Sequence, residues 1–217
     1  MAIRRPEKKT IIVQPLDPSL HTFRSPKFES VVKEALAFFS HTPIHPLPPA
    51  TKFSAGGVYA LYYAGNFDLY RQIAEQNRQE YIQPIYVGKA VLPGWRTART
   101  TNKAEATSLF SRLREHARSI SQGAKLAPSH FQTRFMILEG LESDLVVPVE
   151  AELIRRFRPL WNSLVDGFGN HDPGSGRYQQ ARSEWDILHP GRPWAKRLKG
   201  SSPLLESIIT KINRQIS

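Results

Sequence analysis

Gly57-Val58-Tyr59-Ala60-Leu61-Tyr62-Tyr63 is the stretch from which the fold can be read. A glycine is followed by an aromatic-rich apolar run, a composition that suits a pleated strand. Side chains alternate across a strand. Val58, Ala60 and Tyr62 therefore fall on one side, and Tyr59, Leu61 and Tyr63 on the other. Residues 64–82 then read as a long connection, partly helical around Leu69 to Ala74. A second strand over 84–88 returns antiparallel beside the first. Residues 90–106 have no periodicity and read as an inserted loop.

Further downstream, Thr107 or Ser108 suits the cap of a helix running to about Gln122, with Leu109, Leu113, Ala117 and Ile120 as its buried stripe. Phe131 to Leu138 alternates as a third strand. The next helix begins near Pro148, carries Glu150, Leu153, Ile154 and Phe157, and is stopped by Pro159. Upstream, Ser25-Pro26 opens a helix in which Val31, Val32, Ala35, Phe38 and Phe39 recur at helical spacing. The proline-rich residues 41–55 read as extended linker. Residues 163–200 are rich in glycine, proline, arginine and tryptophan. A last helix starts at Ser202-Pro203, with Leu205, Ile208, Ile209, Ile212 and Ile216 on its apolar side.

The fold class is therefore α+β. It has an arm, helix and linker over 1–54, a core over 55–165 with insertions at 64–82 and 90–106, and a C-terminal extension over 166–217. That extension is a candidate for DNA contact and packing.

Charge narrows the function. Thirty Lys and Arg stand against nineteen Asp and Glu, a net charge of +11. The surplus is spread along the chain, so a folded basic surface is expected, and a polyanion such as nucleic acid is its natural partner. There is no cysteine, which excludes disulfides and thiolate metal sites. Met1 to Thr10 is basic and polar, unlike a secretory signal. No run approaches the roughly 20 apolar residues of a membrane span. The expectation is a soluble, intracellular protein.

The polar residues that punctuate these elements carry the chemistry. Tyr59 is followed by Tyr86-Val87-Gly88-Lys89, then Arg112 and His116, then Glu150, then Asn162. Arg112 and His116 are four apart and share a helical face, offset from the apolar stripe. Tyr59 and Tyr86 sit on neighbouring strands. These are the groups needed to hydrolyse a phosphodiester with one metal ion. A tyrosine serves as base only if cations lower its pKa, and Lys89 and His116 are candidate neighbours for that. Arg112 can hold a phosphate oxygen. A lone carboxylate suffices for Mg²⁺, which keeps several waters; Glu150 and the nearby Glu152 are the rivals. Asn162 can orient a tyrosine, a water or the backbone.

This ordered set resembles the GIY-YIG nuclease family. Gly57-Val58-Tyr59 and Tyr86-Val87-Gly88 stand for its two tripeptides, each with valine for isoleucine. Arg112-Leu113-Arg114-Glu115-His116 looks like its arginine-bearing helix, in the branch with a histidine one turn later. Glu150-Ala151-Glu152-Leu153-Ile154 looks like its metal-binding helix and selects Glu150. Arg158-Pro159-Leu160-Trp161-Asn162 resembles its closing segment.

The resemblance covers about residues 55–165 and implies a small three-stranded antiparallel sheet flanked by helices. It is nearest to the type II restriction endonucleases, and among them to the group that cuts CCGCGG. It implies Tyr59 as general base assisted by Tyr86, Lys89 and His116, Arg112 on the phosphate, and Glu150 on Mg²⁺, for which Mn²⁺ can substitute. Double-stranded DNA is the implied partner, met by a homodimer; the C-terminal isoleucine stripe and the aromatic linkers are candidate dimer contacts. Arg96, Arg99, Arg177, Arg182 and Arg192, all in irregular segments, are the candidate DNA-binding residues.

Overall fold

The computed structural model describes residues 15–91 and 108–216. Its strands are β1 (Ile44–Pro46), β2 (Gly57–Tyr63), β3 (Tyr86–Ala90) and β4 (Phe131–Ile137). They form one antiparallel sheet in the order β1-β4-β2-β3. The helices are α1 (Pro26–His41), α2 (Arg71–Gln76), α3 (Ser108–Gln122), α4 (Val146–Phe157), α5 (Leu160–Ser163), α6 (Glu184–Leu188) and α7 (Leu205–Ile216). The class is α+β, as expected.

β2 lies between β3 and β4, and all seven of its residues are buried. The predicted alternation holds. Tyr59, Leu61 and Tyr63 enter one core with Leu109, Leu113 and Ile120 of α3. Val58, Ala60 and Tyr62 enter a second core with Val32, Leu36 and Phe39 of α1 and Val149 and Leu153 of α4. Helices thus cover both faces of the sheet. Fully burying each such side chain stabilises by about 1.5–3 kcal/mol. Gly57 starts the strand where a Cβ would lie 2.0 Å from the Met136 carbonyl oxygen of β4, so only glycine lets the chains approach there.

Three sequence expectations change. The residues read as linker contribute β1, a fourth strand paired to β4. Proline is tolerated there because β1 is an edge strand, where Pro46 withholds no interior ladder bond. On α1, Val31 and Phe38 are 42% and 63% exposed, and the buried face runs through Val32, Leu36 and Phe39 instead. The isoleucine stripe of α7 is not free for a second copy. Ile208 and Ile212 are buried in the first core, beside Trp185 and Leu188 of α6.

The C-terminal extension is therefore built into the catalytic core. Tyr70 and His189 join it to the 64–82 connection, hydroxyl to Nε2 at 2.6 Å, and Trp161 Nε1 donates to the same hydroxyl at 3.0 Å. Among the described residues, no helix is long and apolar enough to cross a membrane.

Candidate active site

β3 is the other edge of the sheet, and the site gathers along it. In register, Gly88 of β3 faces Tyr59 of β2. A Cβ on Gly88 would lie 2.5 Å from the Tyr59 hydroxyl, so the glycine makes room for the phenol to cross the edge strand. The ring then reaches α3, where its hydroxyl meets His116 Nε2 at 2.6 Å. Tyr86 closes the cluster, with ring centroids 6.3 Å from Tyr59 and 5.2 Å from His116.

His116 does not lie on a solvated helix face. It is 2% exposed, its polar tip is satisfied by Tyr59, and its ring stacks on Phe168 at 4.6 Å. Burial pushes its imidazole well below the ordinary value of 6.5, and the charge of Arg112 adds to this. The ring is thus neutral at pH 7. Burial also pushes the Tyr59 phenol well above its usual 10.0, with Tyr86 adding and Arg112 opposing. Arg112 lowers the phenol, but desolvation outweighs it, so the side chains alone do not supply the lowering that a tyrosine base needs from cations or a metal. Tyr86 moves the same way for the same reason.

Arg112 sits one turn before His116 at the rim. Its guanidinium donates to the Gly169 carbonyl at 3.0 Å and to Glu115 at 3.1 Å, and it meets Nε2 of His171. Lys89 does not join the tyrosines through a hydrogen bond; its ammonium pairs with Glu150 Oε2 of α4. Glu152 turns away to Arg155, at 2.6 Å, so Glu150 is the carboxylate beside β3. Its charge reaches both tyrosines from α4 and raises their pKa.

Asn162 makes a two-way bond to the edge strand. It accepts from the Val87 N–H at 2.7 Å and donates to the Val87 carbonyl at 2.8 Å. Of the three partners the sequence left open, the geometry makes the backbone one.

The predicted DNA-contacting arginines separate. Arg192 is 1% exposed and enclosed. It pairs with Asp186 at 2.6 Å and donates to the carbonyls of Gly167, Phe168 and Asn170, so it cannot read a base. Arg177 is exposed, and with His171, Asn170 and Gln180 it lines a cavity of ≈ 360 Å³. Arg182 is half-buried. Arg96 and Arg99 lie outside the described residues. Sequence reading missed Phe168, Gly169 and His171, whose place beside α3 depends on a loop return that no local pattern encodes.

A central edge-crossing tyrosine, a buried histidine, an arginine at the rim and a carboxylate on the opposing helix thus gather along one edge of the α+β sheet. Residues 51–216 match the family described as Eco29kI GIY-YIG domain, and the chain belongs to that family of type II restriction endonucleases.

Proposed function

We propose that the protein is a Mg²⁺-dependent type II restriction endonuclease that cuts double-stranded DNA at a short palindrome, CCGCGG, as a homodimer in the bacterial cytoplasm. The observation that carries the chemistry is the 2.6 Å contact between the Tyr59 hydroxyl and Nε2 of a neutral His116. Water attacks phosphorus and gives its proton to the Tyr59 oxygen while the Tyr59 proton passes to His116 Nε2; the P–O bond to the leaving sugar oxygen breaks, and that oxygen departs with the electron pair and takes a proton from solvent. The tyrosine never has to persist as a phenolate, which its burial forbids. Tyr86 packs the other side of this relay. Arg112 holds a nonbridging phosphate oxygen as charge builds. A bound phosphate offsets the Arg112 charge that depresses His116, so substrate itself makes the histidine a better acceptor.

The residues fit a hard divalent ion. Glu150 is a single carboxylate with its side chain 15% exposed, already holding the cation of Lys89. One carboxylate suits Mg²⁺, or Mn²⁺ in its place, which keeps most of its waters and takes phosphate oxygens. Held by Glu150, the ion supplies positive charge to the phosphate and the leaving oxygen. With Glu150 so engaged, Lys89 would be available to the DNA backbone.

The net charge of +11 supports a DNA substrate, and exposed Arg177 beside the cavity supports contact near the site. Arg96, Arg99 and Arg182 remain assigned to DNA with it; Arg192 is removed. We keep the three segments 1–54, 55–165 and 166–217 as the working division of the chain. A homodimer fits the need to cut two strands with one kind of site. Phe28, Val31 and Phe38, outward on one face of α1, offer apolar surface for it.

Digestion of a DNA library in Mg²⁺, followed by sequencing of the ends, tests this. Ends at CCGCGG and a doubled protein mass on one duplex by sedimentation are expected. A different palindrome removes the CCGCGG assignment, and smeared ends remove site specificity. DNA retardation without cleavage would instead mark a binding protein with an inactive nuclease fold.

A further inference from the structure

We infer that His171 is a positioning residue for the nuclease reaction: with the Gly169 carbonyl it fixes the Arg112 guanidinium from a loop folded around the buried guanidinium of Arg192. The inference rests on the reading of Arg112 as the phosphate-holding group.

Arginine stabilises a phosphate best when its planar fork is already aimed, because a free side chain loses rotamer entropy on binding. Glu115 cannot aim it alone. It lies on the same helix, its side chain is 53% exposed, and such surface pairs hold weakly. The other two contacts come from across the fold. Gly169 accepts from Nη2 at 3.0 Å, and Nη1 donates to Nε2 of His171. A neutral imidazole nitrogen is an acceptor, so it suits a guanidinium where a lysine or arginine would repel it.

The loop itself has a scaffold. Arg192 donates to the carbonyls of Gly167 at 2.9 Å, Phe168 at 3.1 Å and Asn170 at 3.2 Å, and pairs with Asp186. Its guanidinium carbon lies 4.6 Å from the Trp185 ring centroid and 4.5 Å from that of Trp194. Three of the four carbonyls just before His171 thus converge on one fixed fork, and the fourth, of Gly169, turns to Arg112. The same loop places Phe168 against His116 at 4.6 Å. It therefore touches both the proton acceptor and the phosphate holder. This gives the buried arginine and the C-terminal extension a catalytic purpose that packing alone does not require.

The test uses His171→Ala and His171→Gln, alone and combined with Arg112→Lys. His171 is exposed, so its loss spares the core. Single-turnover cleavage of a duplex carrying the enzyme's own site is measured in Mg²⁺, and binding of that duplex is measured without the metal. His171→Ala is expected to slow cleavage about tenfold or more with unchanged binding and thermal midpoint. His171→Gln, which offers an amide oxygen, should recover most of the rate. In the Arg112→Lys background the alanine change should cost almost nothing further. Wild-type cleavage by His171→Ala, or an undiminished loss in the Arg112→Lys background, overturns the inference. Normal cleavage by Arg112→Lys itself would instead overturn the role given to Arg112.

Discussion

A buried phenol accepts a proton from water only if another group removes the proton it already carries. In the proposed reaction that group is His116, 2.6 Å from the Tyr59 hydroxyl, and the pair sets two expectations. Tyr59→Phe loses one hydroxyl and should slow cleavage by about 10²–10⁴-fold, with its unfolding midpoint close to wild type. The acid limb of kcat/KM, which reports the free enzyme, should lie below the ordinary imidazole value of 6.5, because burial holds His116 neutral to lower pH. A limb at or above 6.5 would mean that His116 is not the acceptor. At this scale the sequence placed side chains that the fold brings together, but not their states. Spacing put Arg112 and His116 on one face of α3. It could not show that Phe168, far along the chain, covers the histidine. Arg192 was misread for a similar reason. Its partners are Asp186 and three carbonyls of one loop, and carbonyls leave no mark in a sequence.

Strand β3 carries Tyr86 and Lys89 and, among the described residues, has no strand paired on its outer side. Asn162 acts as a substitute strand there, meeting both polar groups of Val87, and Trp161 N–H adds a bond to the Ile85 carbonyl at 2.9 Å. Asn162→Ala leaves a backbone donor and acceptor without these partners and should cost about 1–3 kcal/mol by urea titration. Cleavage should slow as well, since Tyr86 and Lys89 lose their anchor. A variant with wild-type stability and rate would remove this role. The elements themselves were largely legible. β2 declared itself through alternation, and α3 through Leu109, Leu113, Ala117 and Ile120, all of which are buried. β1 was not legible, because three residues ending in proline carry no strand signal until β4 supplies their partner.

The described elements from β1 to α7 pack as one unit around β2, and the Tyr70–His189 contact is one of its seams. Burial lowers His189 to about 4 from 6.5. The unfolded chain therefore binds more protons between those values, so the stability this neutral histidine contributes is complete above pH 6.5 and is lost as pH falls toward 4. His189→Gln should flatten the urea midpoint across that window, by at most about 1.4 kcal/mol per pH unit. An unchanged slope would place the acid sensitivity elsewhere, with His116 the first alternative. What the sequence could not convey at this scale was that Phe168, Gly169 and His171 pack against α3, since those contacts span more than fifty residues.

The central claim is that this assembled site cuts DNA through Glu150 and its metal. The most direct measurement is single-turnover cleavage of the recognised duplex in Mg²⁺ by wild type and Glu150→Gln, at matched DNA occupancy. Wild type is expected to cleave in Mg²⁺ and the variant to lose several orders of magnitude in rate, with DNA binding and fold retained. Equal cleavage by the two proteins would contradict the claim and transfer the metal to another group, Glu152 first.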